Sequence, residues 1–134
     1  MIRVFTGTVS VKLLVPIKWE DKEIKTVDLD FSKMCGKITE DCHKETFNNA
    51  SASVILPASC PEYCRRIASA ISGLEYRIFE KMNSYDYDLI WNTVGAFINK
   101  RNPQKFYDEA VKLMEEADGE EEPEVFTKPA KKPE

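Results

Sequence analysis

VSVKLLVPIKWEDKEIKTVDLDF, residues 9–31, decides how this 134-residue chain begins. Val9, Val11, Leu13, Val15, Ile17 and Trp19 share one side of an extended chain, and Ser10, Lys12, Leu14, Pro16 and Lys18 share the other. Alternation with a period of two marks a strand with one buried face. After the polar Glu20-Asp21-Lys22, Val27, Leu29 and Phe31 resume the pattern against Thr26, Asp28 and Asp30. Two such runs joined by a short polar loop predict an antiparallel hairpin. Pro16 cannot donate to a strand ladder, so it belongs on an outward edge or at a bulge. A lone hairpin is marginal in water, so its apolar face needs a cover.

The cover is expected from helices. Ile38, Cys42 and Phe47 line one face of a short helix started near Thr39 and broken at Asn48-Asn49, and Ser53–Pro57 reads as a short extended piece. Ser59 and Glu62 have the capping-box spacing, Pro61 suits a first helical turn, and Gly73 suits a helix end. Between them Tyr63 or Cys64, Ile67, Ile71 and Leu74 recur at helical spacing. A shorter helical turn, Glu75 to Met82, carries Ile78, Phe79 and Met82. Asn83-Ser84 then offers a cap, with Asp86 and Asp88 placed to complement the helix dipole. Tyr87, Ile90, Trp91, Val94, Phe97 and Ile98 make a wide apolar stripe ending near Asn99. Asn102-Pro103 opens a last helix whose apolar face is Phe106, Ala110, Leu113 and Met114. The fold class is therefore α+β: a hairpin at about 9–31 followed by a small bundle of three to five helices, the clearest over about 59–117, in a single domain spanning 1–117.

Apolar residues make up 43% of the chain, enough for a modest core. The formal charge of −4 is concentrated at the end. Residues 118–134 hold six acids and three lysines, leaving 17 acidic and 16 basic residues in the body. A body without a basic stripe disfavours non-specific nucleic-acid binding, which needs clustered cations. The charged, proline-rich 118–134 is expected to be a disordered tail, with Val125-Phe126 its one apolar pair. There is no signal-peptide pattern and no apolar run long enough to span a bilayer. The four cysteines are then most simply cytoplasmic thiols, and the sequon Asn49-Ala50-Ser51 is chance.

Chemistry is sparse. Cys35, Cys42, His43, Cys60 and Cys64 have the ligand types for zinc, but no CxxC pair. Small buried thiols and a surface histidine account for them more simply, and no metal site or cofactor is assigned. His43 adjoins Cys42 directly, which is poor geometry for a nucleophile and its base. Cys60 stands near a helix start, which alone does not make a nucleophile. Asp86 and Asp88 fit a capping role better than an acid/base pair, and Glu120-Glu121-Glu122 fits a solvated charge run. Trp19 and Trp91 fit the core better than an interface. No phosphate-binding glycine loop, GxSxG or HExxH is present. No catalytic residues are assigned, the chain is read as a non-enzyme, and a binding role is favoured.

The pattern resembles phage tail assembly chaperones of Mu-like and related long-tailed phages. Val15-Pro16-Ile17, Lys22-Glu23-Ile24 and Val27-Asp28-Leu29 match the opening of that family. Ile71-Ser72-Gly73-Leu74, Tyr85-Asp86-Tyr87-Asp88 and Ala96-Phe97-Ile98 match its later helices, so the resemblance covers roughly 9–101. The family's glycine-containing turn is here Trp-Glu-Asp-Lys-Glu, and Cys35–Leu56 has no counterpart. The resemblance implies a non-enzymatic factor in the host cytoplasm, absent from the mature virion. It would bind the tape measure protein, keep its apolar helices from aggregating and help recruit tail tube subunits during tail morphogenesis. A groove for such a helix is expected between the 61–73 and 85–99 helices or against the hairpin, near Ile67, Ile71, Trp91, Val94 and Phe97. The alternatives are a generic helical protein-interaction adaptor and, less favoured, a small zinc-binding protein. No nucleic acid or membrane partner is expected, and exposed apolar helices would equally serve a homo-oligomer.

Overall fold

The computed structural model describes residues 3–47 and 57–120. An N-terminal antiparallel hairpin of β1 (Thr8–Trp19) and β2 (Lys22–Asp30) is followed by five α-helices. They are α1 (Gly36–Phe47), α2 (Pro61–Ser72), α3 (Tyr76–Glu80), α4 (Ser84–Ile98) and α5 (Pro103–Glu120). Short 3-10 turns at Phe31–Lys33 and Pro57–Ser59 precede α1 and α2. Asn48-Asn49, the sequon and residues 53–56 lie outside the described residues, as do residues 121–134 of the expected tail. The helix α5 itself runs to Glu120, three residues past 117.

One core joins all the layers. Val9, Val11, Leu13 and Ile17 of β1 and Val27 and Leu29 of β2 are buried against Ile67, Ala68 and Ile71 of α2, Ile78 and Phe79 of α3, and Ile90 and Val94 of α4. Each such side chain taken from water contributes about 1.5–3 kcal/mol before chain entropy is set against it. Phe31 closes one end of this core: it stacks on Phe97 at 4.7 Å and meets Phe5 edge-on at 5.8 Å.

The alternation in β1 breaks at Val15 and resumes at Ile17, which is 6% exposed. Lys12 pairs with Thr26 and Ile17 pairs with Ile24, so four residues of β1, Leu13–Pro16, oppose the single Lys25 of β2. This bulge turns Val15 outward, 54% exposed, where strict alternation places it inside. The two backbone N–H groups freed at the bulge point to α4. Asp86 accepts from Leu14 N at 2.9 and 3.0 Å and from Val15 N at 3.1 Å. Pro16, which has no N–H to satisfy, follows directly. One residue pair earlier, Tyr107 Oη of α5 accepts from Lys12 N at 3.1 Å.

Local signals set most helix ends. Asn83 Oδ1 accepts from Tyr85 N and Asp86 N and caps α4, and Asn102 Oδ1 does the same for Gln104 N and Lys105 N at the start of α5. Pro61 opens α2, and Gly73, at φ 78°, ends it in the left-handed conformation glycine adopts without a Cβ clash. The Ser59–Glu62 capping box does not form. Cys60 is the N-cap without a side-chain bond, and Glu62 instead holds Arg66 one turn on, at 2.9 Å. The first helix starts at Gly36 rather than near Thr39, and Thr39 N bonds back to Cys35 O. In α5, Phe106, Tyr107, Ala110 and Val111 pack on the core. Leu113, expected on that face, is 66% exposed, because the side of α5 that packs takes in Tyr107 and Val111 instead.

Asp86→Ala is expected to lower stability by about 3 kcal/mol, because two backbone donors lose a charged acceptor. Asp86→Asn, which keeps one acceptor oxygen, is expected to lose less. Urea unfolding monitored by Trp fluorescence measures both.

Candidate functional site

The five residues expected to line a client groove do not lie along an open cleft. Ile67 and Val94 are fully buried and Ile71 is 1% exposed, because α2 and α4 pack directly on each other. Trp91 is half-buried, and its Nε1 donates to Ala58 O at 3.1 Å. Phe97 is half-buried under the Phe31 ring. Three of the five therefore serve the core, and the other two are engaged in holding the Pro57–Ser59 turn and the Phe31 turn.

The cysteines divide by burial. Cys35 is exposed, Cys60 is half-buried, and Cys42 and Cys64 are buried. Burial pushes the Cys42 thiol up to about 11, with the Glu45 carboxylate adding to the shift. Burial likewise pushes Cys64 up to about 12. Burial thus favours the protonated form of both thiols. The His43 ring meets Tyr63 edge-on at 6.0 Å. Among the described residues, no group of three or more His, Cys, Asp or Glu side chains is placed to hold a metal ion.

A shallow depression of about 200 Å³ lies between α1 and α2. Its one cation, Arg66, is already bonded to Glu62 at 2.9 Å and Glu45 at 3.3 Å and lies 4.3 Å over the Tyr76 ring. Arg65 stacks on the same ring and bonds to Tyr76 Oη. These contacts tie α1, α2 and α3 together and leave little charge for a ligand.

Val4, at 73%, and Leu113, at 66%, are exposed singly, and the bulge has exposed apolar residues of its own. Leu14 is 55% exposed, Val15 54% and Tyr85 69%. Leu14 and Val15 are held to Asp86 through their backbone N–H groups, Tyr85 precedes it in α4, and Asp86 itself is 1% exposed. Its carboxylate takes both bulge N–H groups and also Asn83 Nδ2 at 2.6 Å. The patch is therefore fixed at its base by four hydrogen bonds from a rigid helix end rather than carried on a loose loop. Along the hairpin Lys12, Lys18 and Lys25 are exposed, with Glu23 opposite Lys18 and 3.8 Å from Lys25. The exposed side chains at the bulge are apolar, and the carboxylate beneath them is taken up by its own hydrogen bonds. One signal for the bulge was present in the sequence: Leu13-Leu14-Val15 breaks the alternation immediately before Pro16.

Comparison with known proteins returns no relative: no family model matches this chain, and neither curated proteins nor solved structures give a match. No helix among the described residues is long and apolar enough to cross a membrane.

Two thiol classes are expected at pH 8, with Cys35 and Cys60 labelled rapidly and Cys42 and Cys64 only on unfolding. The raised thiols also set a pH dependence. A folded-state pKa above the unfolded value stabilises fully below the unfolded value and is lost as pH rises through the folded one. The urea midpoint should accordingly fall between pH 9 and about 11 as Cys42 loses its advantage, with Cys64 extending the fall towards about 12. A flat midpoint across that window would contradict the burial of both thiols.

Proposed function

We propose that this chain is a non-enzymatic assembly chaperone of the phage tail type, holding the apolar helices of a tape measure protein until tail tube subunits are recruited. The observation that carries the reading is the exposed Leu14 and Val15 pair held on a bulge by the buried Asp86. Exposed apolar side chains on a hydrogen-bonded backbone offer contact area to a partner. The hairpin-then-helices order and the Val15-Pro16-Ile17 and Tyr85–Asp88 matches agree with the resemblance to that family.

The client surface in this reading is the bulge. Ile67, Ile71 and Val94 are committed to the core. An amphipathic helix laid across the bulge covers Leu14 and Val15. Covering the exposed halves of two aliphatic side chains contributes only about 2–3 kcal/mol. Weak contacts suit a factor that must leave before the particle is complete, because several copies spaced along one long partner supply avidity that assembly can dissolve.

The test is affinity capture from cells producing the phage or prophage, with bound proteins identified by mass spectrometry. Recovery of a long helix-rich tape measure protein or a tail tube subunit supports the chaperone reading. Reproducible recovery of an unrelated partner, without tail proteins, favours a generic helical adaptor. The double substitution Leu14→Ser/Val15→Ser is expected to weaken client binding at least tenfold while moving stability by no more than about 0.5 kcal/mol, as usual for exposed sites. Titration calorimetry and urea unfolding of the same variant separate the two effects.

A further inference from the structure

We propose that the free edge of β2, from Thr26 to Asp30, is a docking site for an extended segment of a partner protein, which pairs with it as a third strand and carries a basic side chain opposite Asp28. This is the opposite edge of the hairpin from the Lys12–Val15 stretch, and the inference does not rest on the bulge being the client surface.

The hydrogen bonds show which edge is free. In an antiparallel pair, bonded residue pairs alternate with pairs whose N–H and C=O groups point away from each other. Phe31 N donates to Gly7 O at 2.9 Å, one step beyond the Thr8–Asp30 pair. Stepping inward by twos, Val9–Leu29 and Val11–Val27 are bonded pairs, and Thr8–Asp30, Ser10–Asp28 and Lys12–Thr26 point outward. Lys12 N obeys this alternation, since it donates out of the sheet to Tyr107 Oη. From Lys12 to Val15 the outward donors of β1 are taken, by Tyr107 and then by Asp86. On β2 no group among the described residues bonds to the outward N–H or C=O of Thr26 or Asp28, and both residues are exposed.

A row of free donors and acceptors is completed by an incoming strand, whose main chain bonds at alternate residues. Charge selects the strand. Asp28 accepts from Ser10 Oγ at 2.7 Å, and Asp30 accepts from Ser32 N and Oγ. A carboxylate has about four acceptor positions, so each keeps some open. The nearby cations are Lys12, paired with Thr26, and Lys33, beyond Asp30. Asp28 is in no ion pair among the described residues, and a basic side chain directly opposite it on the added strand is stabilising. Val27 and Leu29 lie between the outward residues and face the core. The alternate residues of the added strand therefore fall on the core side and are apolar. A second copy is the poorer fit. Laid antiparallel along Thr26–Asp30, it sets Asp28 against its own counterpart, and like charges directly opposite destabilise a sheet. The acids that keep identical edges apart thus favour a basic strand.

The probe is a short capped peptide alternating lysine with valine, and its control carries glutamate in place of lysine. Amide exchange and ¹H–¹⁵N spectra of the full chain are followed with each. Without peptide, the Thr26 and Asp28 amides should exchange much faster than those of Val27 and Leu29. Equal protection of all four overturns the free edge. The lysine peptide should slow exchange at Thr26 and Asp28 and bind at least tenfold more tightly than the glutamate peptide. Asp28→Lys should reverse that preference. Thr26→Pro removes an outward N–H and no ladder bond, and should weaken lysine-peptide binding at least tenfold. Unchanged binding by a folded Thr26→Pro variant overturns backbone pairing. If that variant does not fold, the Asp28→Lys reversal decides, and its failure overturns the proposal. Equal binding of the two peptides, binding of neither, or perturbations lying away from Thr26–Asp30 also overturn it. Protection of Thr26 and Asp28 that rises with protein concentration alone overturns it in favour of a second copy.

Discussion

The carboxylate of Asp86 is the constraint on which the arrangement of this protein depends. It sits in the first turn of α4, almost without contact with water, and reaches across the fold to two backbone donors of the hairpin. A buried carboxylate is costly unless its lone pairs are filled, and here Leu14 N, Val15 N and Asn83 Nδ2 fill them. The same contacts satisfy donors that a bulged edge strand otherwise leaves open. One residue thereby fixes the position of α4, holds the bulge and sets which side chains of β1 face outward.

Edge protection follows from the same geometry. A two-stranded sheet has two open edges, and unpaired N–H groups on a long strand invite pairing with other chains. On β1 the described contacts close the stretch from Lys12 to Val15 with side chains from α5 and α4. Backbone pairing is thus blocked where apolar side chains are displayed. What stays exposed there is side chain rather than open backbone edge.

The helices were the more legible part of the sequence because their ends are decided locally. Pro61, Gly73, Asn83 and Asn102-Pro103 each act within a turn of their own position, and all four mark the ends that form. Where a local signal competed with a tertiary contact, the contact won. Glu62 had the spacing to close a capping box with Ser59, but it pairs with Arg66, which also reaches Glu45 and Tyr76. Leu113 continues the periodicity of Phe106 and Ala110, yet the packed side of α5 takes in Tyr107 and Val111, and Leu113 stays exposed. The cysteines follow the simpler reading of their residue type: Cys42 and Cys64 are buried thiols, and burial raises the pKa of both.

By itself the sequence determined the hairpin, the order and approximate limits of the helices, and the accumulation of acid at the C-terminal end. These follow from period, capping residues and composition, all of which act over a few neighbouring residues. Only the tertiary structure decided that Val15 turns outward and Asp86 inward, and that Ile67, Ile71 and Val94 are consumed by the core. The physical reason is distance along the chain. Leu14 and Asp86 are 72 residues apart, and no local pattern reports that a carboxylate suited to a helix start will instead be the acceptor for a bulge in a strand.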